Sequence, residues 1–464
     1  MSTTATPAQA ARDELATKFE GQLIGPEDLD YDEARKLYNA MIDKRPALIA
    51  RVTGPKDVAA AIAFARSHDL PIAIRGGGHN GGGLGSVDDG VMIDLSLLKD
   101  VEVDPTAGTA RVGGGCTWSD VDAGTQPHGL AVPCGIISTT GVGGLTLGGG
   151  LGHLTRKYGL TIDNLLEADV VTADGELVKA SPDQNPDLYW ALRGGGGNFG
   201  VVTSFLFRAN PVGNVIAGPT FWGIEEAAEV LSFYRTFIGE MPRELTGFFA
   251  FHFVPPGPPF PEELHGRHVC GVVWNYTGTE DELAKLLAPI LTVGTPLLHG
   301  VHEMPFAMLN GAFDALYPAG DQWYWRADFV KEISDEAVEK HVEWGEKLPT
   351  GKSTMHMYPI DGAPHDVGAS ETPWGYRDAN WGSVMVGVDP DPANKDVLRD
   401  WAVGYQEALH PYSAGGAYVN MMMDEGQDRV KASYGDNYTR LTQVKKQYDP
   451  ENVFRVNQNI HPAS

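Results

Sequence analysis

Cysteine is scarce in this chain. Three thiols, Cys116, Cys134 and Cys270, stand among 464 residues. That is too few for a disulfide framework, and none belongs to a CxxC pair of the kind that holds zinc. Long apolar runs are missing too: no stretch approaches the roughly 20 residues that a membrane-crossing helix needs. The opening MSTTATPAQAARDELATKF has neither a basic start nor an apolar centre, so no secretory leader is expected and the cytoplasm is the expected location. Basic charge is in short supply. The 61 acidic side chains outnumber 35 Lys and Arg, for a net charge of −26, which argues against nucleic acid or an anionic membrane as partner. The pairs His265/His268 and His299/His302 have HxxH spacing without the further ligands of a zinc site, so no metal is expected.

A chain of this length exceeds one ordinary core, so two lobes are expected. The first begins with a short polar helix over residues 9–19 and an irregular acidic segment through Asp32. A strand (LIARV), a helix opening at Gly54-Pro55 and a strand (LPIAIR) follow, with proline at the helix start as the N-terminal signal. To about Ala209 the chain then runs through short apolar strands and glycine-rich loops, with helices only at about 118–128 and 186–192. Past Pro211, helices at 225–239, 280–291, 334–346 and 393–409 alternate with aromatic strands such as FFAFHFV, QWYWRADFV and STMHMYPI. Alternation in several of these predicts an antiparallel sheet covered on one face by helices.

Two segments fit GxGxxG, at 76–81 and 195–200. A Rossmann site needs a strand before and a helix after. The first match leads into GGLGSVDDG and the second into the strand VVTSFLF, so neither is that fingerprint. Glycine loops can still bind an anion through successive backbone N–H groups. Four glycine clusters, at 76–85, 113–115, 141–152 and 194–200, predict a large extended ligand lying across the first lobe.

Together RGGGHN, VMIDLS, GGGCTWSDVD, HGLAVPCGIISTTGVGGLTLGGGLGHLTRKYGLTIDN, RGGGGNFGVVT and the terminal YDPENVFRVNQNI resemble FAD-linked oxidases of the berberine bridge enzyme type, in the vanillyl-alcohol oxidase superfamily. The resemblance covers nearly the whole chain and is similar to the bacterial 6-hydroxy-D-nicotine oxidase and aclacinomycin oxidoreductase kinds. It implies an α+β, two-lobed fold: a PCMH-type FAD-binding domain over 1–212 (core about 45–212), an α+β substrate domain over 213–428, and a segment 429–464 that returns to the first domain.

The resemblance also implies that His79 is joined to the flavin ring. The cofactor-binding candidates with it are Arg75, Gly76, Gly77, Gly78, Asn80, Gly81, Ser138, Thr139, Thr140, Gly141, Gly144, Gly148, Gly200, Val202, Asn457 and Asn459. Relatives with a second bond, from cysteine, carry it four residues before the first glycine of GVGG. Here that position is Ile137, and Cys134 lies three residues off, so a single bond is expected, with Cys134 as the other possibility. Alcohol-oxidising relatives take the substrate proton with the second tyrosine of YxNY. This chain reads Tyr418-Val419-Asn420-Met421, and the tyrosine common inside GGGYG is Leu151. Catalytic candidates are therefore Tyr418, Asn420, Tyr376 and Arg377, the last pair because a neighbouring cation would lower the phenol pKa. The alternative is amine oxidation without a strong base. The aromatic residues of the second lobe, with Trp323 and Trp325 on one strand face and Tyr324 on the other, would line the substrate pocket. The expected activity is oxidation of a small hydroxylated or amine substrate, with reoxidation by oxygen to hydrogen peroxide, in a monomer or homodimer. A dehydrogenase of the same fold and a decayed flavin-binding protein are the alternatives.

Overall fold

The computed structural model describes residue 12 and residues 14–464; of the polar helix expected over 9–19, residues 9–11 and 13 lie outside the described residues, and residues 12 and 14–16 are helical. The first lobe holds a two-stranded ribbon of Leu130–Ala131 with Asn210–Pro211 and two larger sheets. One has four strands in the order Gln22–Ile24, Leu48–Arg51, Val91–Asp94, Ile72–Arg75, with the last three parallel. Parallel neighbours need a crossover, and the helix Pro55–Ser67 supplies it, with proline in its first turn after Gly54. Its residues Val58, Ala61, Ile62 and Ala65, at helical spacing, pack with Leu48, Val91 and Ile93 of that sheet. The other sheet has five antiparallel strands, with Val201–Arg208 between Thr109–Gly113 and Leu165–Val171.

From residue 214 the chain builds an eight-stranded sheet. It contains the expected aromatic strands Leu245–Phe253, His268–Tyr276, Gln322–Val330, Thr354–Pro359 and Trp381–Asp389, together with Asn214–Gly223, which the pattern did not predict. Helices Ala227–Glu240, Asp335–Gly345 and Lys395–Leu409 cover one face, where Tyr234, Val338 and Tyr405 meet Phe249, Met355 and Met357. The other face is turned to the first lobe. Its residues Phe248, Trp323, Trp325, Phe329 and Tyr358 join the core of the first lobe. Burial on both sides explains why Thr354–Pro359 is buried along its entire length.

The lobes are fastened by buried charge. Arg156 donates to both carboxylate oxygens of Asp361 at 2.8 and 2.9 Å and to the carbonyls of Pro242 and Met241. The chain's end returns to the first lobe. Lys445, on the helix Tyr438–Tyr448, is fully buried and donates to Asp449 Oδ2 and to the carbonyls of Asn198 and Phe454 at 2.7–2.8 Å. Asn198 in turn donates to Gly195 O and Gln458 O and accepts from Ile460 N-H, so the RGGGGN loop and the tail hold each other in shape. Among the described residues no helix is long and apolar enough to cross a membrane.

Candidate active site

A cavity of about 310 Å³ lies between the lobes, walled by the glycine loops, the exposed edge of the tail and the first-lobe-facing side of the large sheet. The glycines serve two purposes. A Cβ on Gly77 would stand 2.4 Å from Gly141 N, and one on Gly141 would stand 2.2 Å from Gly77 N, so these two loops touch backbone to backbone. Gly144 and Gly197 also line the cavity, yet a Cβ on either would meet nothing within 4 Å. Here the missing side chain leaves room for a ligand against the main chain. Gly141 is followed by a short helix, Val142–Gly148. Sequence reasoning missed it because three glycines in seven positions weigh against a helix; packing of Val142 and Leu147 into the core overrides that preference.

His79 lies at the cavity wall, with its ring stacked on Tyr38 at 3.9 Å between centroids and 18° between planes. Its Nε2 is 3.1 Å from the Thr139 hydroxyl and its Nδ1 3.4 Å from that of Thr140. Desolvation among these groups pushes the imidazole down to about 4, so it is neutral at physiological pH. Tyr38 is itself anchored, donating from its hydroxyl to Tyr317 O at 2.6 Å and from its N-H to Gly78 O at 3.1 Å. Next to it the buried Asn39 donates to Gly81 O and Trp323 O and accepts from Trp323 N-H, joining both lobes beside His79. Tyr38 and Asn39 escaped the sequence reading because nothing in a sparse loop signals a contact with residues forty and nearly three hundred positions away.

Other expected cofactor residues divide by placement. Gly76, Gly78, Asn80, Thr140, Gly200, Val202 and Asn457 line the cavity. Arg75 lines it as well, but its guanidinium is turned to Asp94 at 2.6 Å and to the Ala34 carbonyl. Burial would raise the Asp94 carboxyl, yet Arg75 and Arg51 outweigh it and hold the group below the usual carboxylate range. Gly81 lies under the Trp325 indole and Gly148 under the Asn420 amide. Ser138 donates from N-H and hydroxyl to Asp314; neither it nor Asn459 reaches the wall. Cys134 is buried with its thiol on Gly135 O, and burial raises its pKa. The cavity is lined instead by Gly135, Ile136 and Ile137.

Among the catalytic candidates, Tyr418 and Asn420 face the cavity and each other. The Tyr418 hydroxyl accepts from Gly150 N-H at 2.8 Å and from the Asn420 amide at 2.7 Å. Burial pushes its pKa up to about 12. A phenol that accepts twice and stays protonated has only its own O–H left to give. Tyr376 and Arg377 stand elsewhere, and the expected coupling between them is absent. Arg377 is engaged by Asp163 through two 2.8 Å bonds and by Thr372. The Tyr376 hydroxyl donates to Ala432 O, and burial raises its pKa. Adjacent residues on an irregular segment point apart, which spacing alone could not reveal. On the facing sheet, Trp323 and Trp325 line the cavity and Tyr324 does not, as strand alternation requires. With them come His356 and Tyr358, for which the pattern of STMHMYPI signals a strand and nothing of the face each side chain takes. Among the described residues no cluster of His, Cys, Asp or Glu could hold a metal.

The cavity suits a flavin dinucleotide. Besides the space over Gly144 and Gly197, the lining residues Tyr434 and Asn457 each keep a buried polar atom, Oη and Oδ1, that no group among the described residues satisfies. Such atoms are rare without a ligand or water to meet them.

Comparison with known proteins gives the class. Residues 46–181 match the family model described as FAD binding domain, and residues 417–461 the one described as berberine and berberine like. An uncharacterized FAD-linked oxidoreductase of Bacillus subtilis is 32% identical, covering 96% of this chain and 98% of its own. The (R)-6-hydroxynicotine oxidase of Paenarthrobacter nicotinovorans is 30% identical, covering 97% and 98%. The crystal structure of 6-hydroxy-D-nicotine oxidase from Arthrobacter nicotinovorans superposes with a TM-score of 0.87 at 27% identity, over 99% of this chain and 100% of that one. The fold and the cavity thus define a flavin-dependent oxidoreductase with α+β architecture. The chain belongs to the berberine-like family of FAD-linked oxidoreductases, and FAD is its cofactor.

Proposed function

We propose that this chain is an oxidase that carries FAD on His79 and acts on a small hydroxylated or amine-bearing organic molecule, with molecular oxygen as the acceptor. The observation that carries this reading is the neutral imidazole of His79, clamped between Tyr38 and the Thr139 and Thr140 hydroxyls at the wall of the glycine-lined cavity. A neutral imidazole has a free nitrogen lone pair for attachment, which a protonated one lacks. Residues 1–212 and 429–464 would hold the cofactor, and residues 213–428 would roof the substrate.

When bound, FAD supplies a two-electron acceptor that molecular oxygen can reoxidise, giving hydrogen peroxide. The protein's own groups do the rest. Gly76, Gly77, Gly78, Gly141, Gly144, Gly200, Val202 and Asn457 would shape the cofactor's side of the cavity. Tyr418, held by Asn420 and Gly150, offers a hydrogen bond from its O–H. Trp323 and Trp325 form part of the opposite wall.

Purified protein precipitated with acid should give a yellow pellet, and His79→Ala should give a colourless one with a yellow supernatant or none. A colourless wild-type pellet would overturn attachment, and yellow protein that makes no peroxide with any alcohol or cyclic amine would overturn the oxidase assignment.

A further inference from the structure

The strand Thr354–Pro359 sends alternate side chains to opposite sides. Met355 and Met357 enter the helix-covered core, while Thr354, His356 and Tyr358 face the cavity. The Thr354 hydroxyl is already engaged by Phe251 O at 2.8 Å. His356 Nδ1 and the Tyr358 hydroxyl share a 2.7 Å hydrogen bond, and both rings rest on Phe248, with centroids 4.8 and 5.1 Å away. Among the described residues, no group of the chain hydrogen-bonds to His356 Nε2.

Charge is nearly absent around this pair. Among the described residues lining the cavity, Arg75 alone carries a full charge, and Asp94 already occupies its guanidinium. Among the described residues no carboxylate lines the cavity. A cationic amine would therefore leave water for a buried space in which the chain supplies no counter-ion, and cation–π contact with the indoles alone does not replace the lost hydration. On this wall the side-chain groups left without a partner among the described residues are His356 Nε2 and the Trp323 and Trp325 N–H groups, which the many hydroxyls of a sugar chain would outnumber.

We infer that His356, oriented by Tyr358, is the polar recognition point of the substrate pocket, and that the substrate is a neutral ring-bearing molecule presenting one hydroxyl to His356 Nε2. This inference rests on the oxidase reading and narrows it, setting aside cationic amines and oligosaccharides. The shared hydrogen bond fits either direction of the outer one. If Tyr358 donates to Nδ1, Nε2–H donates to the substrate oxygen; if Nδ1–H donates to Tyr358, Nε2 accepts the substrate O–H. Burial pushes His356 down to about 3, so the ring is neutral in both arrangements at physiological pH.

The test uses purified holoenzyme and four probes: phenol, which has no oxidisable C–H beside its hydroxyl, toluene, benzylammonium and cellobiose. Binding is followed by quenching of tryptophan fluorescence and by calorimetry. Phenol should bind tightest, His356→Leu should weaken phenol about fivefold while toluene changes less than about twofold, and Tyr358→Phe should fall between, as loss of a neutral hydrogen bond predicts. Benzylammonium or cellobiose binding tighter than phenol would overturn the inference, as would phenol affinity unchanged in His356→Leu. Should His356→Leu fail to fold, the wild-type ranking and the near-isosteric Tyr358→Phe still decide. Acid-pellet colour is recorded for every sample: a yellow wild type with the wrong ranking sinks only this inference, whereas a colourless one sinks the flavin attachment and leaves the binding result to stand alone.

Discussion

The wall that the first lobe contributes to the cavity is made of backbone: Gly76 to Gly78, Gly141, Gly144 and Gly196 to Gly197, locked together by direct main-chain approach and by the tail. The wall that the second lobe contributes is made of side chains, Trp323, Trp325, His356, Tyr358, Val384 and Val386, standing on a rigid sheet. A backbone wall suits a ligand that never changes, because any Cβ is an obstacle. A side-chain wall can be rewritten residue by residue without disturbing the strands beneath it. That difference lets one architecture keep FAD while its substrate varies.

The largest effect should come from breaking the backbone wall. Gly197→Leu places a side chain in open cavity space without touching the core. The expected result is a folded, colourless protein, read from circular dichroism and the flavin absorbance; full flavin content would show that this glycine does not adjoin the cofactor.

Acid should separate the two halves by a few kcal/mol. Burial lowers His252 to about 4 and His341 and His356 to about 3 in the second lobe, and His153 to about 3 in the first. A histidine whose folded pKa lies below its unfolded value of about 6.5 contributes stability that is present above that pH and is lost as the pH falls toward the folded pKa, by about 1.4 kcal/mol per pH unit for each group. The first lobe has a partial counterweight. Burial raises Asp122 to about 6 despite its bond from Asn310, so the folded state takes up that proton more readily than the unfolded chain and is favoured as the pH falls below 6. Between pH 6.5 and 4, hydrogen exchange corrected for its intrinsic rate should therefore rise in Thr354–Pro359 and Leu245–Phe253 before Val201–Arg208. Simultaneous opening would mean that the shared core makes the lobes one cooperative unit.

The smallest effect should come from editing the side-chain wall. Trp323→Leu should keep the yellow pellet and near-native stability, losing about 1–3 kcal/mol, while changing the rank order of substrates. Loss of flavin in this variant would blur the distinction between the walls.

The sequence determined a good deal by itself. Strands such as Ile72–Arg75 and Val91–Asp94 and the helix Pro55–Ser67 were legible because their hydrophobic period and proline signal are local. His79 and the glycine loops were legible because a backbone that must run close to something else tolerates only glycine, and that demand is written at each position. Only the tertiary structure decided the rest. It brought Tyr38 and Asn39 to His79, set the Tyr418 hydroxyl on Gly150 and Asn420, sent Arg377 to Asp163 and away from Tyr376, and turned His356 and Tyr358 inward. Those outcomes depend on which sheet face meets the other lobe and on which way an irregular loop turns. Both are set by packing between segments hundreds of residues apart, which no local pattern encodes.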